Sequence, residues 1–339
     1  MAQAPVNVGI IGCGIFGEVH AAAYSDFEQS NLVAVCDLNA DRAKRLGEQF
    51  GCRHCTSVDD IAGDPAIQAV SVVTPDFAHR EVCVTLARAG KHLLVEKPLA
   101  TTVADAEAIA GAVRDAGVVG MVDFHNRYHP ALRTVKESLD RGEMGELQMM
   151  YARLSDRIEV ATEWFTWSGR SGPEWFLGSH LADLACWMFG EEPRRVFAEG
   201  RKEVLAARGI DCYDSVQIHL SFSKGFATLE TSWIMPNTWP MIVDSFSTFQ
   251  ATEARADVDL KHQGVTIAAQ KRYDSPGLFG RRPVGADVFG FFAFPIRDFV
   301  RSVLSGTAPP VPLEAGVKNV RILAAAVESM KSGEVVELR

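Results

Sequence analysis

The segment Gly12-Cys13-Gly14-Ile15-Phe16-Gly17 follows directly on an apolar, β-branched run, Val6–Ile11, and leads directly into a stretch with helical periodicity. Three glycines at G-x-G-x-x-G spacing in that setting constrain the fold more than any other feature of the chain. Gly12 permits a tight turn, Gly14 lets backbone approach a pyrophosphate, and Gly17 lets the next helix pack closely on the strand. The helix then turns its N–H groups and partial positive charge toward phosphate oxygens, with Ile15 and Phe16 lining the same turn. Such a unit opens a doubly wound, dinucleotide-binding Rossmann domain.

Two further residues fit this register. Asp37 closes the second apolar run about 20 residues on, where a carboxylate accepts hydrogen bonds from an adenosine ribose and repels a 2′-phosphate. That favours NAD over NADP, although Arg42 stands near enough in sequence to soften the preference. Asp37 also suits a turn or helix cap ahead of Ala40. Thr74-Pro75 ends the next parallel strand at the same sheet edge, which is equally the place for an ordinary turn.

Short apolar runs alternate with helical stretches up to Val122, the signature of a parallel sheet with crossover helices. Strands are expected at Val6–Ile11, Leu32–Cys36, Ala69–Val73, His92–Val95 and Val118–Val122, and helices at Gly17–Phe27, Ala40–Phe50, Arg80–Ala89 and Val103–Ala116. A boundary near Asp123 divides the chain into a Rossmann domain, 1–123, and a second domain, 124–339.

Pro130 starts a helix there and Gly142 ends it. Ser215–Phe222 alternates with period two, Lys224-Gly225 turns it into Phe226–Trp233, and Ala256–Leu260 pairs with Val265–Ala269 through Gln263-Gly264. With helices at His180–Phe189, Pro295–Leu304 and Gly316–Ser332, the second domain reads as α+β with a large open mixed or antiparallel sheet. One face of that sheet is left for another subunit, so a homodimer or homotetramer is expected.

Composition excludes other classes. No run of about 18 apolar residues exists to span a bilayer, and Val6–Ile11 leaves no room for a secretory leader, so a cytoplasmic protein is expected. The net charge of −9 disfavours nucleic acid. Seven cysteines read as reduced thiols; Cys52-x-x-Cys55 has no second ligand pair, and no metal site is expected.

At Glu96-Lys97-Pro98, after Gly90-Lys91-His92, the chain resembles the glucose–fructose oxidoreductase, inositol dehydrogenase and rhizopine-catabolism oxidoreductase family. The likeness continues through Thr74-Pro75-Asp76-Phe77-Ala78-His79, Phe124-His125-Asn126-Arg127-Tyr128 and Ser332-Gly333-Glu334-Val335-Val336, and so covers the whole chain. It implies a sugar or cyclitol substrate lying beneath a nicotinamide, with Thr74, Pro75, His79, Glu96, Lys97 and Arg127 on the cofactor side. Lys97 matches the lysine that touches both cofactor and substrate. The family's second signature maps to Gly172–Asp183, where Gly178, His180 and Asp183 are present but Phe176 stands at the usual aspartate. Trp164 matches a tryptophan of the same region, and Phe165 replaces its usual arginine neighbour.

Hydride transfer from a carbinol carbon requires a group that takes the hydroxyl proton. His180 suits that task near neutral pH, and Lys97 suits stabilising the developing alkoxide. Asp183, three residues along the same helix, reads as a support for His180, although the two also read simply as a helix-face pair. Trp164 and Phe176 offer flat faces to a sugar. The expected activity is NAD-dependent oxidation or reduction of a secondary alcohol or ketone on a sugar, cyclitol or related polyol. The alternatives are a non-catalytic dinucleotide-binding sensor and an NAD-dependent glycosidase.

Overall fold

The computed structural model describes residues 4–260 and 290–338, with the backbone of four short strands between them. The chain begins β1 (Val6–Ile11), α1 (Ile15–Ser25), β2 (Ser30–Cys36), α2 (Ala40–Phe50), β3 (Arg53–Cys55), α3 (Val58–Ala62), β4 (Ala69–Val72), α4 (His79–Arg88), β5 (His92–Val95), α5 (Val103–Ala116) and β6 (Gly120–Val122). It continues with α6 (Pro130–Asp140), β7 (Leu147–Arg157), α7 (Pro173–Phe176), α8 (Gly178–Phe189), β8 (Arg195–Arg201), β9 (Ser215–Ser221), β10 (Phe226–Met235), β11 (Val243–Ala251) and β12 (Arg255–Asp259). Last come β13 (Ile267–Ala269), β14 (Arg272–Asp274), β15 (Arg282–Val284), β16 (Asp287–Phe289), α9 (Ala293–Ser305), α10 (Leu313–Ser332) and β17 (Val336–Glu337).

Two compact units emerge, Met1–Tyr128 with Gly280–Val317, and His129–Phe279 with Lys318–Arg339. The first is discontinuous, a return of the chain that a single boundary near Asp123 does not contain. Its six strands are all parallel in the order β3-β2-β1-β4-β5-β6. β4 is buried along its whole length and β5 in all but its first residue, which is why both read as unbroken apolar runs. The order reverses between β1 and β4, and the crevice outside the strand ends there is where such sheets bind ligands. The returning segment covers the β6 edge, with Val122 N–H donating to Val311 O at 3.0 Å.

β3 and α3 had no counterpart among the expected elements. A three-residue strand with two exposed positions carries no readable period. β3 holds Cys55, and all seven cysteines are free.

The second unit contains a seven-stranded sheet in the order β12-β11-β7-β10-β9-β8-β17. β7 and β10 run parallel and the other pairs antiparallel, so the sheet is mixed. Along β10, Ala227, Leu229 and Trp233 are buried in the core with Leu181, Ala185 and Leu323, while Phe226 on the opposite face is exposed. Among the described residues, the expected pairing of Ala256–Leu260 with Val265–Ala269 is absent. β12 pairs with β11 instead, Phe249 facing Ala256, and β13 pairs with β14; Gln263-Gly264 lies outside the described residues. The β11–β12 turn is held from outside by Thr252 and Glu253 N–H groups donating to Glu146 and Met144 carbonyls. Among the described residues, no helix is long and apolar enough to cross a membrane.

Candidate active site

The glycine turn is enforced by its own backbone. Gly12 has φ +106°, and a Cβ there would stand 2.5 Å from the Val73 carbonyl oxygen. A Cβ on Gly17 would stand 2.0 Å from Gly12 O. Gly14, the residue ahead of α1, would carry a Cβ that meets nothing within 4 Å, so space is open in front of the helix N-terminus. A pyrophosphate fits that open space with its positive helix end. Ile15 is exposed, and Phe16 stacks on His125 with ring centroids 6.0 Å apart.

Asp37 stands one residue past β2. Its Oδ2 accepts the Cys13 N–H at 2.8 Å and its Oδ1 the Asn39 N–H at 2.8 Å, which ties the carboxylate to the glycine turn. The cap of α2 is Asn39, which accepts from the Asp41 and Arg42 N–H groups, and the Arg42 side chain is exposed. Asp37 therefore serves a turn as well, but not as the helix cap.

Past β4, Thr74 Oγ1 is buried without a hydrogen-bond partner, a group for which a ligand is the natural complement. Pro75 leads into the short turn Asp76–Ala78. His79 is fully buried, its ring nitrogens 3.0 Å from Thr74 O and 3.2 Å from Leu99 O. It braces the segments that follow β4 and β5, and both ring nitrogens are occupied by the protein.

Glu96 and Lys97 follow β5 and are buried. The Lys97 N–H donates to Glu96 Oε2 at 3.0 Å. The other Glu96 oxygen lies 3.4 Å from Nε2 of His20, a residue of α1, and the same nitrogen lies 3.4 Å from Asp123 Oδ2 beyond β6. His20 Nδ1 is 3.0 Å from Ser71 Oγ, itself 2.7 Å from the Tyr24 hydroxyl. Burial alone would lower the His20 pKa, but hydrogen bonds and charges from Asp123 and Glu96 push it up to about 9. Burial would raise the Asp123 pKa, but the His125 and His20 rings, 3.6 and 3.4 Å from its two oxygens, hold it below the ordinary carboxylate value. Arg127 lies in the turn that follows, its guanidinium 5.9 Å over the Phe124 ring.

In the second unit, His180 and Asp183 lie one turn apart on α8 and are both buried. Phe176 ends α7 within an aromatic cluster: its ring is 5.0 Å from Phe165, 6.0 Å from Trp167 and 5.8 Å from Trp233. Phe165 and Trp167 stack at 4.5 Å, and the Trp233 indole N–H donates to Asp156 Oδ2 at 3.1 Å. Trp164 has 42% of its surface exposed.

A family model described as an oxidoreductase family with an NAD-binding Rossmann fold matches residues 6–124, and the GFO/IDH/MocA C-terminal domain model matches residues 132–253. The chain belongs to the GFO/IDH/MocA family of oxidoreductases. It is 27% identical, over 98% of its length and 96% of the relative's, to scyllo-inositol 2-dehydrogenase (NADP(+)) of Bacillus subtilis (strain 168). Identity and coverage are the same, 27%, 98% and 96%, for the NAD(+) scyllo-inositol 2-dehydrogenase of that organism. In fold it is similar to myo-inositol 2-dehydrogenase of Lactobacillus plantarum, with a TM-score of 0.85 at 20% identity over 99% of this chain and 100% of that one.

Within this GFO/IDH/MocA chain the first sheet brings Gly12, Gly14, Gly17, Asp37, Thr74, Pro75, Glu96 and Lys97 to the carboxyl ends of β1, β2, β4 and β5. Sequence reasoning missed His20 and Asp123. The only local signal for His20 is that it sits on the inward side of an otherwise apolar helix stretch, Val19 to Tyr24.

Proposed function

We propose that the protein is an NAD-dependent dehydrogenase that oxidises a secondary alcohol on a cyclitol or sugar ring, or reduces the matching ketone. The observation that carries this reading is the shared sheet edge of the glycine turn, the Asp37 carboxylate and Lys97. Full-length similarity to two scyllo-inositol dehydrogenases supports the substrate class and favours dehydrogenation over a sensor or a glycosidase. One of those relatives is named for NADP(+) and the other for NAD(+), so the preference is argued from Asp37. A carboxylate bonded to the glycine turn welcomes ribose hydroxyls and repels a 2′-phosphate, and the Arg42 side chain is exposed.

The bound dinucleotide supplies the hydride acceptor. Gly14 and the α1 N-terminus receive its phosphates, Ile15, Phe16, Thr74, Pro75 and Arg127 line its path, and His79 holds the Thr74 segment in place. Lys97, buried at the sheet edge, stabilises negative charge on the substrate oxygen. His180 takes the hydroxyl proton, and Asp183 supports the helix that carries it. Phe176 and Trp164 present aromatic surface to the apolar face of the ring.

The test is NADH formation with myo-inositol, scyllo-inositol and a panel of sugars, repeated with Lys97→Ala and His180→Ala. Each substitution is expected to lower kcat by about 10²-fold or more. Dinucleotide binding without turnover of any polyol would point to the sensor instead.

The open face of the seven-stranded sheet, with Met149, Phe197 and Phe226 exposed, fits a homo-oligomeric contact. Light scattering gives the assembly size, and a monomer would exclude this contact.

A further inference from the structure

We infer that His20 is a positioning residue for the nicotinamide half of the site: as an imidazolium it balances the Glu96 and Asp123 carboxylates and, through Glu96, holds the backbone of Lys97. In a doubly wound sheet each half receives one nucleotide of the pair. Asp37 marks the β1-β2-β3 half for adenosine, which leaves the ends of β4, β5 and β6 to the nicotinamide. Those three strands supply the groups that meet at His20: Ser71 from β4, Glu96 from the end of β5 and Asp123 from the end of β6. From α1 itself Tyr24 adds its hydroxyl through Ser71, and His125 stands 3.6 Å from the far Asp123 oxygen.

His20, Glu96 and Asp123 are each at least nine-tenths buried, at 1%, 6% and 2% exposure. Two carboxylates this deep around one ring nitrogen need a positive charge between them. A neutral ring could donate from Nε2 and accept the Ser71 O–H at Nδ1, so it is the two buried carboxylates, each 3.4 Å from Nε2, that call for the imidazolium, whose Nε2–H they share. The three side chains also bring possible ligand atoms within 4.8 Å of one another. A cation there would take the Nε2 lone pair, which the protonated ring does not have.

The consequence follows α1 in both directions. The helix that begins at the phosphate-binding turn is pinned, about one and a half turns later, to the strand end that carries Lys97. Glu96 takes the imidazolium with one oxygen and the Lys97 N–H with the other, so motion of the ring is passed to the lysine backbone.

The test compares His20→Gln with the unaltered protein. NAD+ and NADH differ by one charge on the nicotinamide ring, so, with the nicotinamide received at the β4–β6 ends, loss of the His20 charge is expected to shift the ratio of their dissociation constants toward NAD+ by about five-fold. A residue that only supports the fold would lower Tm and weaken both forms alike. With a turning-over substrate, kcat is expected to fall about ten-fold with little change in KM. That kinetic arm rests on the dehydrogenase reading; the binding ratio does not, so failure of one is separable from failure of the other.

A ratio within about two-fold of the parent value would overturn the proposal. Should the variant not fold, nitrogen-15 histidine NMR of the unaltered protein decides. One ring is expected to stay doubly protonated across about pH 6 to 8, and nine rings all neutral at the upper end would overturn it.

Discussion

Gly17 lies so close to Gly12 that a Cβ on the first would sit 2.0 Å from the carbonyl oxygen of the second. Backbone meets backbone there, and no side chain can yield. Gly17→Ala is therefore expected to cost about 3 kcal/mol or more, read by denaturant unfolding. Gly14→Ala meets no protein atom and should change stability by less than about 1 kcal/mol. It should nonetheless weaken NAD by about ten-fold in calorimetry, because the methyl group enters the phosphate space. Unchanged affinity in Gly14→Ala would place the phosphates elsewhere.

Asp37→Ala removes the acceptor for two N–H groups and the charge proposed to face the adenosine ribose. The kcat/KM with NAD is expected to fall about ten- to a hundred-fold, the size of one or two hydrogen bonds to a charged group. NADP should lose far less or gain. Parallel losses with both cofactors would make Asp37 a turn residue only.

Stability should depend on pH with opposing contributions. His129 caps α6, its Nδ1 accepting the Ala131 N–H, and burial lowers its pKa from 6.5 to about 4. Between those values the unfolded chain holds the proton and the folded one does not, so stability declines as pH falls. The loss between about pH 6.5 and 5 is about 2 kcal/mol, and His129→Asn, which keeps a capping acceptor, should flatten it. Asp123, held below its ordinary value of 3.8, adds stability that is present above 3.8 and lost as pH drops toward the folded value. His20, raised from 6.5 to about 9, adds stability fully present below 6.5 and lost as pH rises through about 9. Unfolding midpoints across this range would contradict the assignment if His129→Asn left the acid limb unaltered.

Phe176→Asp would set a carboxylate among the rings of Phe165, Trp167 and Trp233. Lost packing and charge burial together are expected to cost about 3 kcal/mol. The kcat/KM for cyclitols should fall, because the roles proposed for His180 and Lys97 leave no step for a further carboxylate. A gain in turnover would show that a carboxylate at 176 belongs to the relay.

Much of this architecture is legible in local pattern. The buried runs at Val8–Ile11, Val70–Val72 and Leu93–Val95 read as parallel strands because helices cover both faces of the sheet, and the period of two in Ser215–Ser221 marks a strand with one open face. The strand β3 and the β11–β12 hairpin do not read this way. The first is too short to have a period, and the second depends on carbonyls of Met144 and Glu146 more than a hundred residues earlier in the chain.

The amino-acid order by itself determined the dinucleotide turn, the run of parallel strands and the acidic residue after β2, since each is written in neighbouring positions a few bonds apart. Only the tertiary structure decided that His20 meets Glu96, 76 residues away, and that Asp123 completes the cluster. Burial, proximity of like charges and the proton that reconciles them arise when distant strand ends converge, and no local spacing encodes that convergence.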